Sequence, residues 1–358
     1  MKEKIPDRLI SLDAFRGITM ILLVSTGFGL AELKDFPYWN ELAMQFTHAQ
    51  WEGLHFWDLV QPFFMFIVGV AMPFSLSKRL RQGQSDREIF WHVVQRSLIL
   101  IFLGVVIIKG VQLMKGTPSL TNVLTHIGIT YFLTFLILRK PLKVQIGVSL
   151  AILLIYDLAF RFVPLPYEAG PWQQAQNLGS HIDMLLGFEF NEGGWVTINA
   201  LSTAAHTMWG AICGWILLSD RNEKRKLIFL VAAGVIVLFA GFILSPVTPI
   251  IKRIATSTFV LVSGGWCLLT LAFLYWLVDM KGYKSWTFFV NIVGMNSIFI
   301  YMFDILLNGW LLDFLSIYTE PLLGGLNVGS IIITINLALL VKWYICYWMY
   351  KHKLFIKV

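Results

Sequence analysis

The sequence predicts an all-α, polytopic membrane protein of about ten spanning helices, and three observations predict it. Of the 358 residues, 57% are hydrophobic and only 14% charged, against roughly 45–50% and 25% in soluble domains. Mean hydropathy is +0.70. The apolar residues are gathered into runs near the roughly 20 residues that cross a bilayer. This composition excludes a disordered chain, a disulfide scaffold and a soluble nucleic-acid binder. The three cysteines, Cys213, Cys267 and Cys346, lie in apolar stretches with neither disulfide nor metal spacing.

Ten stretches read as helices: 14–30, 54–77, 91–113, 122–138, 143–162, 197–218, 227–244, 256–278, 288–311 and 328–350. Helices are required because backbone groups in lipid must pair within their own segment. Together they read as one integral-membrane domain over 1–358. No cleavable signal peptide is expected, because the first apolar run lacks a small-residue cleavage site. With the N-terminus inside, the inner loops hold nineteen Lys and Arg and the outer loops five. That asymmetry predicts both termini in the cytoplasm and accounts for the net charge of +7 without nucleic acid. The outer loops carry ten carboxylates and are net acidic, which is common in solvated loops and, on the functional alternative, suits a cationic ligand such as an amino sugar. Two of them, 31–53 and 163–196, are long enough to carry a site or a lid. The second holds Trp172, Gln173, Gln174, Asn177, His181, Asp183 and Trp195.

Ionisable residues inside spans are functional candidates by default. Asp13 and Arg16, three apart at the inner mouth of the first helix, share a face. They either anchor the helix end or present an Arg that can grip phosphate. Arg96 opens the third span, where snorkelling is the structural alternative. Asp157 and Arg161 read as an i,i+4 ion pair. Asn296, Tyr301 and Asp304 cluster in span nine, where Asn296 and Asp304, two turns apart, can face one cavity. Ser297 adjoins them. Lys342 in span ten either snorkels or pairs with an acid. His126 and His206 sit within spans, where a structural role competes with a catalytic one.

The densest chemistry runs from His48 through Ala-Gln-Trp51-Glu52-Gly53-Leu-His55-Phe-Trp57-Asp58 to Gln61-Pro62. An Asp in the first turn of a helix is favoured by the dipole alone. The functional reading makes His48 a general base, Asp58 its orienting carboxylate, and Trp51 an aromatic face for a sugar ring. The HExxH arrangement of a zinc site is absent, and no metal is expected.

Two motifs carry a resemblance. Arg8-Leu-Ile-Ser11-Leu12-Asp13-Ala-Phe15-Arg16-Gly17, followed by His48-Ala-Gln-Trp51-Glu-Gly53 and Asp58-Leu-Val-Gln-Pro62-Phe-Phe, resembles the heparan-α-glucosaminide N-acetyltransferase family and its bacterial NagX-like members. Weaker echoes lie at Arg96-Ser97-Leu98, Ile127–Tyr131, Lys252 with Thr256–Leu261, and Gly294–Ser297 with Tyr301. The resemblance implies a transmembrane acyltransferase fold in a bacterial inner membrane. It implies acetyl-CoA as cytosolic donor and the amino group of a glucosamine on the opposite face as acceptor. It makes His48 the catalytic histidine and matches Asp13 and Arg16 to the inner-mouth motif.

On that reading Arg16, Arg96 and His126 hold the phosphates or pantetheine arm, and Asn296, Ser297 and Tyr301 offer hydrogen bonds to the thioester. Lys252 contacts the acceptor or thioester. A second copy of the chain as partner is left open. The chain departs from the family where an Asn usually stands near the outer end of the first span and Val24-Ser25-Thr26-Gly27 is found, with Ser25 or Thr26 as partial substitutes. It departs again at Gln61, at His126 where Arg is common, and at Ile251. His48 either deprotonates the acceptor or is itself acetylated first. Two rival functions remain at this stage: an amino-sugar transporter and O-acetylation of a cell-envelope glycan.

Overall fold

In the computed structural model, residues 9–112, 120–168, 170–188, 191 and 193–356 are described, with the side chains of 107–112 outside that set. Arg8 of the first motif therefore lies outside the described residues. So do Lys2, Lys4, Lys115, Glu189, Glu192 and Lys357 of the loop counts, and the Lys109 side chain.

Every described element is helical. In chain order they are α1 (Ile10–Val24), α2 (Asn40–Gln45), α3 (Val60–Arg81), α4 (Asp86–Gln112), α5 (Val123–Ile137), α6 (Leu142–Phe162) and α7 (Leu178–Leu185). Then come α8 (Asn199–Leu218), α9 (Glu223–Leu244), α10 (Ser257–Leu274), α11 (Thr287–Met295), α12 (Ser297–Leu322) and α13 (Val328–Lys351). Among the described residues eight helices are long and apolar enough to cross a membrane. The remaining two of the ten predicted spans take other forms. The first is a bent pair, with α1 and a 3-10 segment, Thr26–Leu33, meeting at 54°. The fourth, α5, has only 15 residues.

The helices are arranged inside out relative to a soluble protein. α3, α8 and α10 are mostly buried and form the centre, whereas α4, α6, α9, α12 and α13 turn apolar faces outward. Ile236, Phe239 and Ile243 of α9 are all more than half exposed, which is stable only where the surroundings are lipid. With no hydrophobic drive between helices in lipid, close backbone approach must hold the centre together. At the α3–α8 crossing a Cβ on Gly69 would lie 2.0 Å from the Thr207 carbonyl oxygen, and one on Gly210 2.1 Å from that of Phe66. Gly69→Ala is therefore expected to force α3 and α8 apart. The check is the thermal midpoint in detergent, which should fall far below that of Gly147→Ala, where a Cβ meets nothing within 4 Å.

Two breaks shape the bundle. After α1 the chain makes a left-handed run, with φ of 49° at Thr26, 64° at Gly27, 56° at Phe28 and 74° at Gly29. Two side chains of α13 secure it. Asn336 Nδ2 donates to the Phe28 carbonyl at 2.9 Å. Lys342 Nζ donates to the Val24 carbonyl at 2.7 Å and pairs with Asp304 at 2.5 Å. Lys342, 2% exposed, thus caps the carbonyl end of α1, where a cation is favoured.

The second break divides the stretch expected as one helix over 288–311. It is two helices, α11 and α12, separated at Asn296 (φ −117°, ψ 39°). α12 then runs on to Leu322. Asn296 and Asp304 accordingly do not share a cavity: Asp304 serves Lys342, and Asn296 bonds to the segment after α13.

Candidate active site

The loop between α2 and α3 brings His48 back over the start of α3, where Asp58 stands in a 3-10 turn, Phe56–Leu59. His48 Nδ1 and Asp58 Oδ1 are 2.7 Å apart. Asp58 is 1% exposed, so its acceptor capacity must be met within the protein. Its Oδ2 accepts the backbone N–H groups of Ala49 (3.2 Å) and His55 (3.0 Å). Lys252 Nζ lies 3.3 Å from Oδ1 and 3.2 Å from His48 Nδ1.

Two cationic or N–H groups thus converge on Oδ1, and this assigns the tautomer. Nδ1 carries the proton and donates to the carboxylate, leaving Nε2 as the basic nitrogen. Nε2 has no hydrogen-bond partner among the described residues, and the His48 side chain is 45% exposed. A carboxylate that orients an imidazole whose other nitrogen is open is the arrangement of a general base.

Burial lowers the His48 pKa below its ordinary 6.5; the Asp58 hydrogen bond opposes the shift and the Lys252 charge adds to it. Burial also pushes the Lys252 ammonium down to about 8, against the pull of Asp58. Lys252 arrives on the loop between α9 and α10. That loop is fixed by Asp157, which accepts from Thr248 Oγ1 (2.8 Å) and Ser257 Oγ (3.1 Å). Arg161, paired with Asp157 at 2.7 Å, donates to the Val247 carbonyl at 2.8 Å. The i,i+4 pair read from the sequence is thus the mooring of the loop that delivers Lys252.

The two long loops are joined over this cluster. Trp51 Nε1 donates to the Trp172 carbonyl at 2.8 Å, so Trp51 braces loop to loop. The Trp195 ring stands edge-on to His48 at 6.4 Å and takes the Lys252 ammonium over its face at 5.3 Å. Arg253 donates to the Gly193 carbonyl at 2.5 Å, and the Gly53 N–H reaches the Ile250 carbonyl at 2.8 Å. In the sequence Trp195 stands out only as part of a polar loop, and Arg253 carries no signal of a role beyond its place next to Lys252. A Trp beside a loop Gly and a second cation after Lys252 were the available signals.

Below the cluster lies a cavity of about 310 Å³ walled by α1, α3, α4, α5 and the α11–α12 break. Arg16, Arg96, Ser297 and Tyr301 all line it. Arg96 lies over the Tyr131 ring at 4.7 Å, and its Nε is buried with no hydrogen-bond partner, so part of its donor capacity is unmet. Arg16 is 3.8 Å from Asp13. The wall includes Phe64 of α3, six residues beyond Asp58, or about 9 Å along a helix at 1.5 Å per residue. Within that interval Gln61 Nε2 donates to His126 Nδ1 at 2.9 Å. Two positions that depart from the family pattern are therefore partners. His126 Nε2 then bears the proton and is buried without a partner.

Of the remaining candidates, Ser297 lines the cavity with its hydroxyl already engaged, and the others lie off the wall. Ser297 Oγ donates to the Gly294 carbonyl at 2.7 Å. Ser25 is buried and donates to the Leu22 carbonyl at 2.8 Å, and Thr26 Oγ1 accepts from Asn308 at 3.4 Å. Neither Ser25 nor Thr26 bonds to the His48 cluster. Asn296 is fully buried and is not on the cavity wall.

Residues 8–170 match the model of a domain of unknown function, DUF5009. The chain is 34% identical over 144 residues to heparan-alpha-glucosaminide N-acetyltransferase of Homo sapiens, covering 38% of this chain and 20% of that protein. To the protein of the same name from Mus musculus it is 33% identical over 130 residues, covering 35% of this chain and 18% of that protein. The matches therefore span about a fifth of the length of each curated relative.

Proposed function

We propose that this polytopic membrane protein, similar over part of its length to the heparan-α-glucosaminide N-acetyltransferases, is an acyltransferase that moves acetyl from cytosolic acetyl-CoA to a glucosamine-type amino group on the opposite side of a bacterial inner membrane. The observation that carries this reading is the placement of two sites along α3. A buried carboxylate orients His48 at one end, and the cavity with Arg16 and Arg96 begins less than two turns further on. Arg16 and Arg96 have the chemistry to hold phosphates. Tyr301, on the cavity wall, is a donor suited to a thioester carbonyl, whereas His126 is fully buried off that wall and pairs with Gln61 instead.

His48 Nε2 takes a proton from the acceptor amine as its nitrogen bonds to the acetyl carbon. Nε2 returns the proton to the thiolate released when the carbon–sulfur bond breaks. Lys252 holds Asp58 ionised and, with Trp195, closes one side of the imidazole. The test is purified protein in detergent with acetyl-CoA and glucosamine-terminated oligosaccharides. Release of free CoA, with a gain of one acetyl group on the sugar as a hydroxylamine-resistant amide, supports the reading. A hydroxylamine-labile ester assigns O-acetylation instead, and movement of unaltered sugar without CoA release assigns transport.

The pH profile should follow from the same groups. The base is competent only when His48 is neutral. Because its pKa is lowered, the acid limb of kcat/KM should lie below pH 6.5, with rate rising as the proton leaves. Lys252 supports Asp58 only while charged, so an alkaline limb is expected near pH 8. Lys252→Met should remove the alkaline limb and move the acid limb upward, because the Lys252 charge no longer helps lower the His48 pKa.

A further inference from the structure

The chain beyond α13 is built to turn back into the bundle. α13 ends with Lys353 in the left-handed region (φ 56°). The Leu354 N–H reaches the Met349 carbonyl at 2.9 Å and the Lys353 N–H that of Tyr350 at 3.1 Å. This is a Schellman-type stop, which aims the following residues back along the helix end. Residues 354–356 then meet the buried side chain of Asn296. Asn296 Nδ2 donates to the Leu354 carbonyl at 3.2 Å, and the Ile356 N–H donates to Asn296 Oδ1 at 3.1 Å.

A carbonyl and an N–H two residues apart are the pair that a neighbouring strand would engage, and here one carboxamide engages both. Asn and Gln carry a donor and an acceptor side by side on one carbon at every ordinary pH. The clamp uses both ends of the amide, and the break between α11 and α12 is what presents it.

Ile356 both lines the cavity of Arg16 and Arg96 and remains 49% exposed. A residue with one side on a cavity and the other in the open stands at its rim. We propose that residues 354–356 form a strap across the rim of this cavity, latched by Asn296, and that the latch must open for a ligand to enter or leave. Asn296 is then a positioning residue that acts through Ile356. This deepens the donor-site reading, and its ligand-exchange half rests on that reading; its gating half does not.

The test uses the full chain with Ala71→Cys as reporter, since Ala71 lines the cavity and the three native cysteines are buried. Labelling by a water-soluble maleimide should be about tenfold faster when Asn296→Ala is added, the change expected from losing one to two net hydrogen bonds. In the protein without the reporter, Asn296→Ala should raise the association and dissociation rates of CoA together, with a smaller change in Kd. Ile356→Ala, which leaves the latch intact, should speed labelling less.

Unchanged labelling in a folded Asn296→Ala protein overturns the strap. Should that variant not fold, deletion of residues 354–358 reads the same gate, and unchanged labelling there overturns it equally. Faster labelling in a protein that binds no CoA upholds the strap and removes the donor assignment.

Discussion

His48→Ala is expected to lower turnover by about 10²- to 10⁴-fold, the range lost when a general base is removed, while acetyl-CoA binding changes little. The separation of sites supports both halves. His48 is absent from the wall of the cavity that holds Arg16 and Arg96. Its one hydrogen bond runs to Asp58, which keeps Lys252 as a partner, so truncation leaves a solvated gap rather than an unpaired buried group. The measurements are free-CoA release under saturating donor and a direct Kd for CoA on the same preparation. Turnover near the wild-type rate removes His48 from the mechanism. An equal loss of CoA affinity places the imidazole in the donor site instead.

The second large effect is on stability. Asp58→Ala removes the acceptor of two backbone N–H groups and the counter-ion of Lys252, itself 7% exposed. A buried charge left without its partner typically costs about 3–5 kcal/mol, and a marked fall in thermal midpoint is the expected readout. The remedy should be specific: adding Lys252→Met to Asp58→Ala removes the stranded ammonium and should recover part of the loss, a coupling that a double-mutant cycle isolates. Additive losses would show that Lys252 does not depend on Asp58. Asp58→Asn tests the other half, since a folded protein with an unfixed imidazole tautomer should lose turnover steeply with KM nearly constant.

The helices were legible because lipid demands continuous apolar runs, and those runs are present in the sequence. The breaks were not, for the same reason. Asn296 lies inside one apolar run, and its partner backbone is 58 to 60 residues further along the chain, so no local pattern marks it. The left-handed run at 26–29 is signalled by Gly27 and Gly29, but Thr26 and Phe28 adopt it too, held by Asn336 and Lys342 of α13.

At the site, motif and chemistry pointed to His48 and Asp58 ten residues apart. Lys252 could be given a side of the membrane and no partner, because the contact at 3.3 Å closes across 194 residues. The pairing of Gln61 with His126 was written in two separate departures from the family pattern. Only the packing of α5 on α3 connects them.

α1 and α5 are both 15 residues long, about 22 Å each at 1.5 Å per residue, and both wall the cavity. A hydrocarbon layer is about 30 Å thick, so these two walls are shorter than the slab they stand in. Such a mismatch is met by local thinning of the bilayer or by polar groups reaching inward from the interface. On the acyltransferase reading, the acetyl group passes from this cavity to His48 beside these two short walls. A helix of 15 residues rises about 22 Å, against about 33 Å for the 22 residues of α3, so a group moving beside the shorter walls has the shorter length of protein to follow.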